Sequence, residues 1–308
     1  MLVAGVDIGT LTCRLLIAEI TRDGKLLERR SDRRILRLGE GVDRTQMLTP
    51  SAMDRVCQTL RNWRAIIDDA RVDGETAVAT SAVREAANRD LFLQRANQEA
   101  GFEIEVITGE EEARRTLLGV RFGAPDHVSA MLGIDIGGGS TELFLDRPPQ
   151  SPVIRSIDVG VVRMAERFLH HDPPTDIEVR LARKAITTAL RSVQRSLGSL
   201  RDATLIGTAG SVTTLAAMAQ RLPAYESSRI HNYRLRLDTI RQLETEILGR
   251  SKEQRRGMFG LEDGREEVIA AGVLILGETL ETLGYPDCLV SDYGLREGVL
   301  IDLAQRMK

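Results

Sequence analysis

The alternation of apolar and polar segments predicts a chain of mixed strands and helices. Short runs rich in Val, Ile and Leu that end at glycine are typical of strands, whereas apolar positions three and four residues apart indicate helices. Strands are predicted at Val3–Asp7, Leu15–Ile20, Leu26–Leu36, Thr76–Thr80, Glu103–Ile107, Ser129–Ile136, Thr141–Leu145, Val153–Val159, Ala203–Gly207 and Asp287–Val290. Helices are predicted at 50–70, 81–87, 89–100, from 108 onwards, and at 161–169, 175–197, 211–220 and 295–307, with the remainder up to residue 283 helical as well.

An internal repeat relates two of the predicted hairpins. The segment Gly5-Val6-Asp7-Ile8-Gly9 aligns without gaps on Gly133-Ile134-Asp135-Ile136-Gly137, and the same alignment pairs Thr12 with Ser140 and Leu15 with Leu143. Each copy opens one half of the chain with an Asp-x-Gly turn that also carries hydroxyl groups. A chance match of two short hairpins is the alternative, but the aspartate and the glycine coincide as well as the apolar positions.

The length and the break at Gly123-Ala124-Pro125-Asp126 predict two domains. A chain of 308 residues exceeds one ordinary hydrophobic core. The predicted division is 1–123, joined by the C-terminal helix 295–308, and 124–294. We therefore expect an α/β fold of two similar domains that face each other across a central cleft, where the two turns could hold successive phosphates.

Composition excludes several classes of protein. The net charge is −3 and aromatic residues make up 4 % of the chain, which argues against a nucleic-acid-binding surface. Cys13, Cys57 and Cys288 have no CxxC spacing, so we expect reduced thiols. No signal peptide or membrane span is recognisable, and a cytoplasmic protein without a membrane or nucleic-acid partner is predicted. The oligomeric state is open, with a homodimer as one alternative.

The chemistry of the second turn predicts a metal–phosphate site. In Gly133–Leu145 an apolar run ends at Asp135, three glycines follow, and Ser140, Thr141 and Glu142 precede the next apolar run. Glycine lets a backbone bend tightly and lets an anion approach its N–H groups. Carboxylates beside these donors are the ligands that a hard cation such as Mg²⁺ prefers.

Six further segments carry a family resemblance that spans essentially the whole chain. They are Arg37-Leu38-Gly39-Glu40-Gly41, Ala79-Thr80-Ser81-Ala82-Val83-Arg84-Glu85-Ala86, Thr108-Gly109-Glu110-Glu111-Glu112-Ala113-Arg114, Gly160-Val161-Val162-Arg163, Gly207-Thr208-Ala209-Gly210-Ser211 and Ser291-Asp292-Tyr293-Gly294-Leu295-Arg296-Glu297-Gly298. With the duplicated Asp-x-Gly turn, the chain resembles the exopolyphosphatase/guanosine pentaphosphate phosphohydrolase (Ppx/GppA) family in its short form. That family lies within the actin, Hsp70 and sugar-kinase superfamily, whose two domains are ribonuclease-H-like.

The resemblance implies roles for particular residues. It places the water-activating base on Glu112, with Glu142 helping to position the attacking water. It implies a Mg²⁺ (or Mn²⁺) site at Asp135 and Glu142, with Asp7 as the matching candidate in the first domain. The phosphate-binding residues that it implies are Thr10, Leu11, Thr12, Arg84, Gly137, Gly138, Gly139, Ser140, Thr141, Gly210 and Ser211. Leu11 departs from the family pattern, which usually has an asparagine there and so a side-chain amide.

Each of these residues also has a purely structural explanation. Glu112 lies in the first turn of a predicted helix, where carboxylates complement the helix dipole, and Glu111 is expected to belong to a capping box. Aspartates commonly bond the backbone of a turn, and an arginine after a strand is usually a solvated charge. Gly210 and Ser211 could form an ordinary strand-to-helix turn with a serine cap instead of an anion site.

The resemblance predicts a metal-dependent phosphohydrolase. Its substrate would be inorganic polyphosphate, guanosine pentaphosphate, which it would convert to the tetraphosphate of the stringent response, or both. Two alternatives remain open: an ATP-dependent kinase of the same superfamily, and a non-catalytic sensor that binds polyphosphate or a guanosine alarmone. The sequence contains no Gly-x-Ser-x-Gly elbow and no P-loop motif, which disfavours serine-hydrolase and P-loop chemistry.

Overall fold

The chain divides into two compact units. The computed structural model describes all residues from Met1 to Lys308. Unit 1 comprises Met1–Gly119 and Leu295–Lys308, and unit 2 comprises Val120–Gly294. The division predicted from the sequence lies after Gly123 and again after Gly294. No helix has the length and the apolar character that a membrane span needs.

Unit 1 is built on a five-stranded sheet with the order β3-β2-β1-β4-β5. Its strands are β1 (Leu2–Ile8), β2 (Thr12–Ile20), β3 (Leu26–Ile35), β4 (Gly74–Ala79) and β5 (Ile104–Val106). Its helices are α1 (Val42–Thr45), α2 (Pro50–Ala70), α3 (Ser81–Glu85), α4 (Arg89–Ala100), α5 (Gly109–Gly123), which continues into unit 2, and α13 (Leu295–Arg306). Strands β1, β2 and β3 are antiparallel, whereas β4 is parallel to both β1 and β5.

The central strand β1 is apolar from Leu2 to Val6 because helices cover both faces of its sheet. Ala4, Val6 and Ile8 pack into a core that also contains Trp63 of α2. Val3, on the other face, packs against Leu300 of α13. The C-terminal helix is therefore part of the first unit although residues 124–294 separate it from α5 along the chain.

Unit 2 repeats this arrangement with one additional strand. Its strands are β6 (Met131–Ile136), β7 (Thr141–Asp146), β8 (Val153–Ile157), β9 (Thr204–Thr208), β10 (Arg234–Arg236) and β11 (Asp287–Val290). Its helices are α6 (Val161–Phe168), α7 (Asp176–Leu197), α8 (Ala209–Ala219), α9 (Ser227–Ile230), α10 (Leu237–Leu248), α11 (Lys252–Arg255) and α12 (Ile269–Leu283). The strand order is β10-β11-β9-β6-β7-β8.

The two sheets share strand order and strand directions. In each, an antiparallel three-stranded meander is followed by two parallel strands, and β10 extends the second sheet at its edge. The predicted α/β fold with two similar domains is confirmed. The prediction of an all-helical segment up to residue 283 is wrong at Arg234–Arg236, because these three residues pair with β11 in an antiparallel ladder. Such a short strand depends on its partner and leaves no periodic pattern in the sequence.

Candidate active site

The two Asp-x-Gly turns have the same backbone geometry. In unit 1 the N–H of Gly9 donates to the carbonyl of Thr12 at 3.0 Å, and in unit 2 the N–H of Gly137 donates to the carbonyl of Ser140 at 3.0 Å. A Cβ at Gly9 would lie only 2.8 Å from the carbonyl oxygen of Thr12, so the tight turn requires glycine there. These are the residues that the sequence repeat pairs, and the repeat therefore extends to the hydrogen bonds of the turns.

A pair of carboxylates lies at the base of the second turn. Asp135 on β6 and Glu142 on β7 are directly opposite each other in the antiparallel ladder. Directly opposite residues share one face of a sheet, with their Cβ atoms about 5 Å apart. Asp135 is 7 % exposed and Glu142 is fully buried. Two buried carboxylates this close repel each other unless a cation or a proton lies between them.

Neutral hydroxyl-bearing residues flank the carboxylate pair on both sides. Thr208 on β9 is in register with Asp135, and Ser156 on β8 is in register with Glu142. The hydroxyl of Ser156 donates to Oε1 of Glu142 at 2.9 Å. These four side chains form one polar row across four strands, in which Ser156 supports Glu142.

The carboxylate pair has the donor chemistry of a site for a hard divalent cation. The structure contains no group of three or more His, Cys, Asp or Glu side chains that could hold a metal ion. Mg²⁺ is usually bound by only one or two carboxylates and completes its octahedron with water and substrate phosphate oxygens. Asp135 and Glu142 supply such a donor set, and their mutual repulsion provides a physical reason for a divalent cation to bind there.

The glycine turn of unit 2 presents its N–H groups on one side. The N–H of Val161 donates to the carbonyl of Gly137 at 3.0 Å, and the N–H of Val162 donates to the carbonyl of Gly138 at 2.8 Å. Nε of Arg163 donates to the carbonyl of Gly139 at 2.7 Å. A trans peptide directs its N–H opposite to its C=O. The N–H groups of Gly138, Gly139 and Ser140 therefore point away from α6. Successive N–H groups on one side of a turn form a nest that binds anions.

Gly160 and Arg163 hold this turn, although neither is among the predicted site residues. A Cβ at Gly160 would lie 2.3 Å from the carbonyl oxygen of Gly138, so only glycine allows the start of α6 to approach the turn. Arg163 is 6 % exposed. The signal for both was the Gly160–Arg163 motif, which carried the family resemblance but suggested no role.

The hydroxyl groups of the second turn are less well placed to bind an anion than its backbone N–H groups. Thr141 is fully buried, and its hydroxyl donates to the carbonyl of Val159. Its side chain therefore ties β7 to the segment that leads into α6. Ser140 is also buried, at 2 % exposure. The donors best placed for a phosphate in this turn are thus the backbone N–H groups.

The predicted anion site at Gly210 and Ser211 lies at the same end of the second sheet. Strand β9 is parallel to β6, with Thr208 in register with Asp135, and α8 begins at the next residue. A Cβ at Gly210 would lie 2.2 Å from the guanidinium of Arg265, which is itself buried. An arginine therefore lies at a helix N-terminus whose N–H groups already favour anions. No sequence pattern pointed to Arg265, because it comes from a loop far along the chain.

The backbone carbonyls of the first turn accept hydrogen bonds from a neighbouring segment, as those of the second turn do. Residues 36–39 donate three N–H groups to the carbonyls of Thr10 and Leu11 at 2.8 to 2.9 Å. By the same trans-peptide geometry, the N–H groups of Leu11 and Thr12 point to the other side. The side chain of Leu11 is 6 % exposed and contributes apolar packing. The departure from the family pattern therefore removes an amide but leaves the backbone donors in place.

The charges at the two turns differ. Asp7 is directly opposite Arg14, at the positions that the repeat aligns with Asp135 and Glu142. An arginine thus replaces the second carboxylate in unit 1. Asp7 is buried, but it lacks the neighbouring carboxylate that makes the second turn suitable for a divalent cation.

The predicted base and the predicted phosphate-binding arginine are in direct contact. Nη1 of Arg84 lies 3.2 Å from Oε2 of Glu112 and donates to the carbonyl of Ile107 at 2.9 Å. Glu112 is 7 % exposed, and its backbone N–H donates to the carbonyl of Thr108 at 2.9 Å in the first turn of α5. The arginine therefore holds the buried carboxylate in one orientation.

Glu111, the residue before Glu112, makes contacts that stabilise the helix. Its N–H donates to the hydroxyl of Thr108 at 3.1 Å, which is one half of the expected capping box. Its carboxylate instead accepts hydrogen bonds from Arg114 at 2.7 and 2.8 Å and from Arg115 at 2.7 Å. The hydrogen bonds from Arg114 and Arg115 lower the pKa of Glu111 from its ordinary value of 4.5 to about 2. The carboxylate of Glu111 therefore binds the arginines of its own helix.

Several known proteins of similar sequence and structure point to one family. A model of the Ppx/GppA phosphatase family matches residues 16–307. Exopolyphosphatase 2 of Mycobacterium tuberculosis is 33 % identical over 314 aligned positions, which cover 98 % of both chains. The crystal structure of the Aquifex aeolicus member of the Ppx/GppA family covers 100 % of this chain and 99 % of its own, with a TM-score of 0.84 and 33 % identity. An exopolyphosphatase from Cytophaga hutchinsonii has a TM-score of 0.91 at 27 % identity, over 100 % of this chain and 99 % of its own.

Proposed function

The chain belongs to the Ppx/GppA phosphatase family, and from this premise we propose that it releases the terminal orthophosphate from inorganic polyphosphate, from guanosine pentaphosphate, or from both. The resemblance predicted from the sequence is confirmed, and the protein is a hydrolase. The observation that carries the proposal is the identity of 33 % to an exopolyphosphatase over 98 % of both chains. The contact between Arg84 and Glu112 supports it independently.

Glu112 is the proposed general base. Hydrolysis of a phosphoanhydride requires a water molecule that is oriented in line with the terminal phosphorus and loses a proton as it attacks. Glu112 has a buried carboxylate that is paired with Arg84 at 3.2 Å and lies in the first turn of a helix, so its orientation is fixed. Glu111 does not suit this role, because two arginines already occupy its oxygens.

Asp135 and Glu142 are the proposed ligands of a divalent cation, for which we favour Mg²⁺. When bound, such a cation offsets the negative charge that develops on the phosphoryl oxygens and the leaving group. The protein's own part is to hold two carboxylates side by side and to support Glu142 through the hydroxyl of Ser156. Asp7, the matching candidate of the first domain, is opposite Arg14 and not opposite a carboxylate, so we place the divalent cation at the second turn.

The backbone N–H groups of the two turns are the proposed phosphate donors. They are the N–H groups of Leu11 and Thr12 in unit 1 and of Gly138, Gly139 and Ser140 in unit 2. Gly210 and Ser211 add the N-terminus of α8, and Arg84 is proposed to reach a phosphate oxygen while it orients Glu112. Preorganised donors of this kind stabilise developing charge without rearranging during the reaction.

A phosphate-release assay tests the proposal. Purified protein is incubated with long-chain polyphosphate and, separately, with guanosine pentaphosphate, each with and without Mg²⁺. We expect orthophosphate from at least one substrate and only in the presence of the divalent cation. Phosphate transfer from ATP to an added acceptor without orthophosphate release would instead establish the kinase alternative. Tight binding of either substrate without turnover would establish the sensor alternative.

A further inference from the structure

The outer face of helix α7 carries a straight stripe of cations, here called the α7 stripe. Its members are exposed, and they are Arg180, Lys184, Arg191 and Arg195. An α-helix turns by about 100° per residue and rises by about 1.5 Å, so these side chains lie within an arc of about 60° and span about 22 Å. The one carboxylate on the exposed face of α7 is Asp176, at the start of the helix.

No carboxylate of the chain pairs with the cations of the α7 stripe. None of the four takes part in an ion pair, a side-chain hydrogen bond or a ring contact. The acidic cluster beside α7 consists of Glu244, Glu278 and Glu281, on α10 and α12. These carboxylates are bound by Arg183 and Arg241 on the flank of α7 that packs against α12. Their charge is therefore already balanced by other arginines, and the stripe faces solvent.

The spacing within the α7 stripe puts like charges next to each other. Arg180 with Lys184, and Arg191 with Arg195, are four residues apart, and like charges at this spacing destabilise a helix. On the other flank, Nε of Arg155 donates to the hydroxyl of Ser196 at 2.7 Å, and Arg155 makes no ion pair either. A bound polyanion would remove the repulsion that this surface has in the free protein.

Helix α12 begins beside the second turn. A Cβ at Gly272 would lie 3.0 Å from the side chain of Ser211 and 3.7 Å from that of Val161. Ser211 belongs to the candidate anion site, and the N–H of Val161 donates to the carbonyl of Gly137 in the turn. The N-terminal end of α12 therefore marks the end of unit 2 at which the turn lies.

The α7 stripe leads away from this end of unit 2. Helix α7 runs in the same direction as α12. Arg183 pairs with Glu278, and Gln194, further along α7, donates to the carbonyl of Thr282, further along α12, at 3.4 Å. Arg180 is therefore at the end of the stripe that is closer to the turn.

We propose that the α7 stripe binds the distal part of a long polyphosphate chain whose terminal phosphate lies at the second turn. The proposal rests on the proposed function, because it concerns the same substrate beyond its reacting end. Binding at two places raises the affinity for a long chain through effective concentration, and a substrate of three phosphates gains nothing from it. Single-stranded nucleic acid is usually bound by aromatic side chains on which bases stack, and α7 has none.

The test compares two double variants, Arg180→Gln/Lys184→Gln and Arg191→Gln/Arg195→Gln, and the quadruple variant. Fluorescently labelled long-chain polyphosphate is titrated with each protein, and its anisotropy is measured. Each double variant should raise Kd about tenfold, because charge-assisted contacts to phosphate are lost. The slope of log Kd against log salt should become shallower by about 0.7 per cation removed. In phosphate-release assays KM for the long chain should rise in parallel, whereas kcat, and KM for tripolyphosphate, should change less than about twofold.

Two matched controls separate charge and position from general effects. Leu181→Gln changes an exposed apolar side chain beside the stripe on the same helix, and Arg229→Gln removes an exposed arginine without an ion pair from α9. Both should leave Kd unchanged. Removal of the like-charge pairs should leave the melting temperature equal or higher. A lower melting temperature in both double variants, or equal weakening by Leu181→Gln or Arg229→Gln, would overturn the proposal.

Direct binding separates this proposal from the proposed function. If the unmodified protein bound the labelled chain but released no orthophosphate, and the double variants bound it about tenfold more weakly, the proposed function would fail and the stripe would stand. If the quadruple variant released orthophosphate from the long chain with unchanged Kd and KM, the function would stand and the stripe would fail. Displacement of the labelled chain by single-stranded DNA as effectively as by unlabelled polyphosphate, at equal phosphate concentration, would also refute polyphosphate as the partner of the stripe.

Discussion

Nη1 of Arg84 lies 3.2 Å from Oε2 of Glu112, and the same nitrogen donates to the carbonyl of Ile107. Arg84 follows β4 and Glu112 lies in the first turn of α5, so the contact joins two segments that are separate along the chain. The arginine is thereby fixed by a backbone carbonyl and in turn fixes the carboxylate. The contact therefore indicates that Glu112 and the arginine that orients it act together.

Replacement of Glu112 tests the assignment of the base. Glu112→Ala should lower kcat for orthophosphate release by at least about a hundredfold, since a positioned general base contributes factors of this size. The matched control is Glu111→Gln, which should retain most of the activity because Glu111 serves Arg114 and Arg115. Circular dichroism confirms that both variants are folded. Retained turnover in Glu112→Ala would remove Glu112 from the mechanism.

Replacement of Arg84 should change the pH dependence of the reaction. In Arg84→Gln the buried Glu112 loses the cation beside it, so its protonated form becomes more favourable. The acid limb of the kcat/KM profile should therefore move to higher pH, and the rate at neutral pH should fall. Arg84→Lys should recover part of the shift. An acid limb at the same pH in all three proteins would mean that the contact does not tune the base.

Replacement of Asp135 or Glu142 should weaken metal binding. Asp135→Asn and Glu142→Gln should each raise the Mg²⁺ concentration for half-maximal activity by about tenfold or more. Without metal, Glu142→Gln should raise the melting temperature, because the repulsion between two buried carboxylates is gone. Mn²⁺ binding, followed by electron paramagnetic resonance, gives a readout that does not depend on turnover. Asp7→Asn is the comparison and should leave Mn²⁺ binding within about twofold.

Gly160→Ala should displace the second turn. The added Cβ would overlap the backbone of Gly138 and Gly139, so the turn or α6 must shift. Overpacking of this kind costs about 1–3 kcal/mol of unfolding free energy, measured by urea denaturation. KM should rise as well, because the N–H nest loses its orientation. Gly249→Ala is the control, since its Cβ meets only the carbonyl of Thr245, at 3.2 Å. Equal effects of the two changes would contradict the role of Gly160.

The contribution of Glu111 to stability should depend on pH in a defined window. Its pKa is about 2 in the folded protein and 4.5 as the ordinary value. A depressed pKa stabilises the folded state above the unfolded pKa, and this stabilisation is lost as the pH falls towards 2. Because Glu111 is partly exposed, Glu111→Gln should cost only about 1 kcal/mol at pH 7. The difference in free energy of unfolding between the two proteins should shrink as the pH falls from 4.5 to 2. A difference that stays constant over this range would exclude the ion pairs of Glu111 as its source.

Much of the fold could be predicted because its signals are local. The two Asp-x-Gly turns, the apolar strands and the Thr-Pro start of α2 depend on residues that are close along the chain. The repeat was visible because glycine stands at the same position of both turns, where a Cβ would lie 2.8 Å from the carbonyl oxygen of Thr12 and 3.1 Å from that of Ser140. The carboxylates of the second turn could be selected from their place beside the glycines and hydroxyl groups, whereas the candidate base could be selected only through the family resemblance. As a residue type alone, a glutamate in the first turn of a helix fits helix capping equally well.

What the sequence by itself determined is therefore the set of elements, their duplication and the chemical types at each turn. The tertiary structure alone decided which side chains meet. The cross-strand register places Arg14, and not a carboxylate, opposite Asp7, and packing brings Arg163 and Arg265 to turns distant along the chain. Register and burial are set by contacts between distant segments, so no local pattern of residues can specify them.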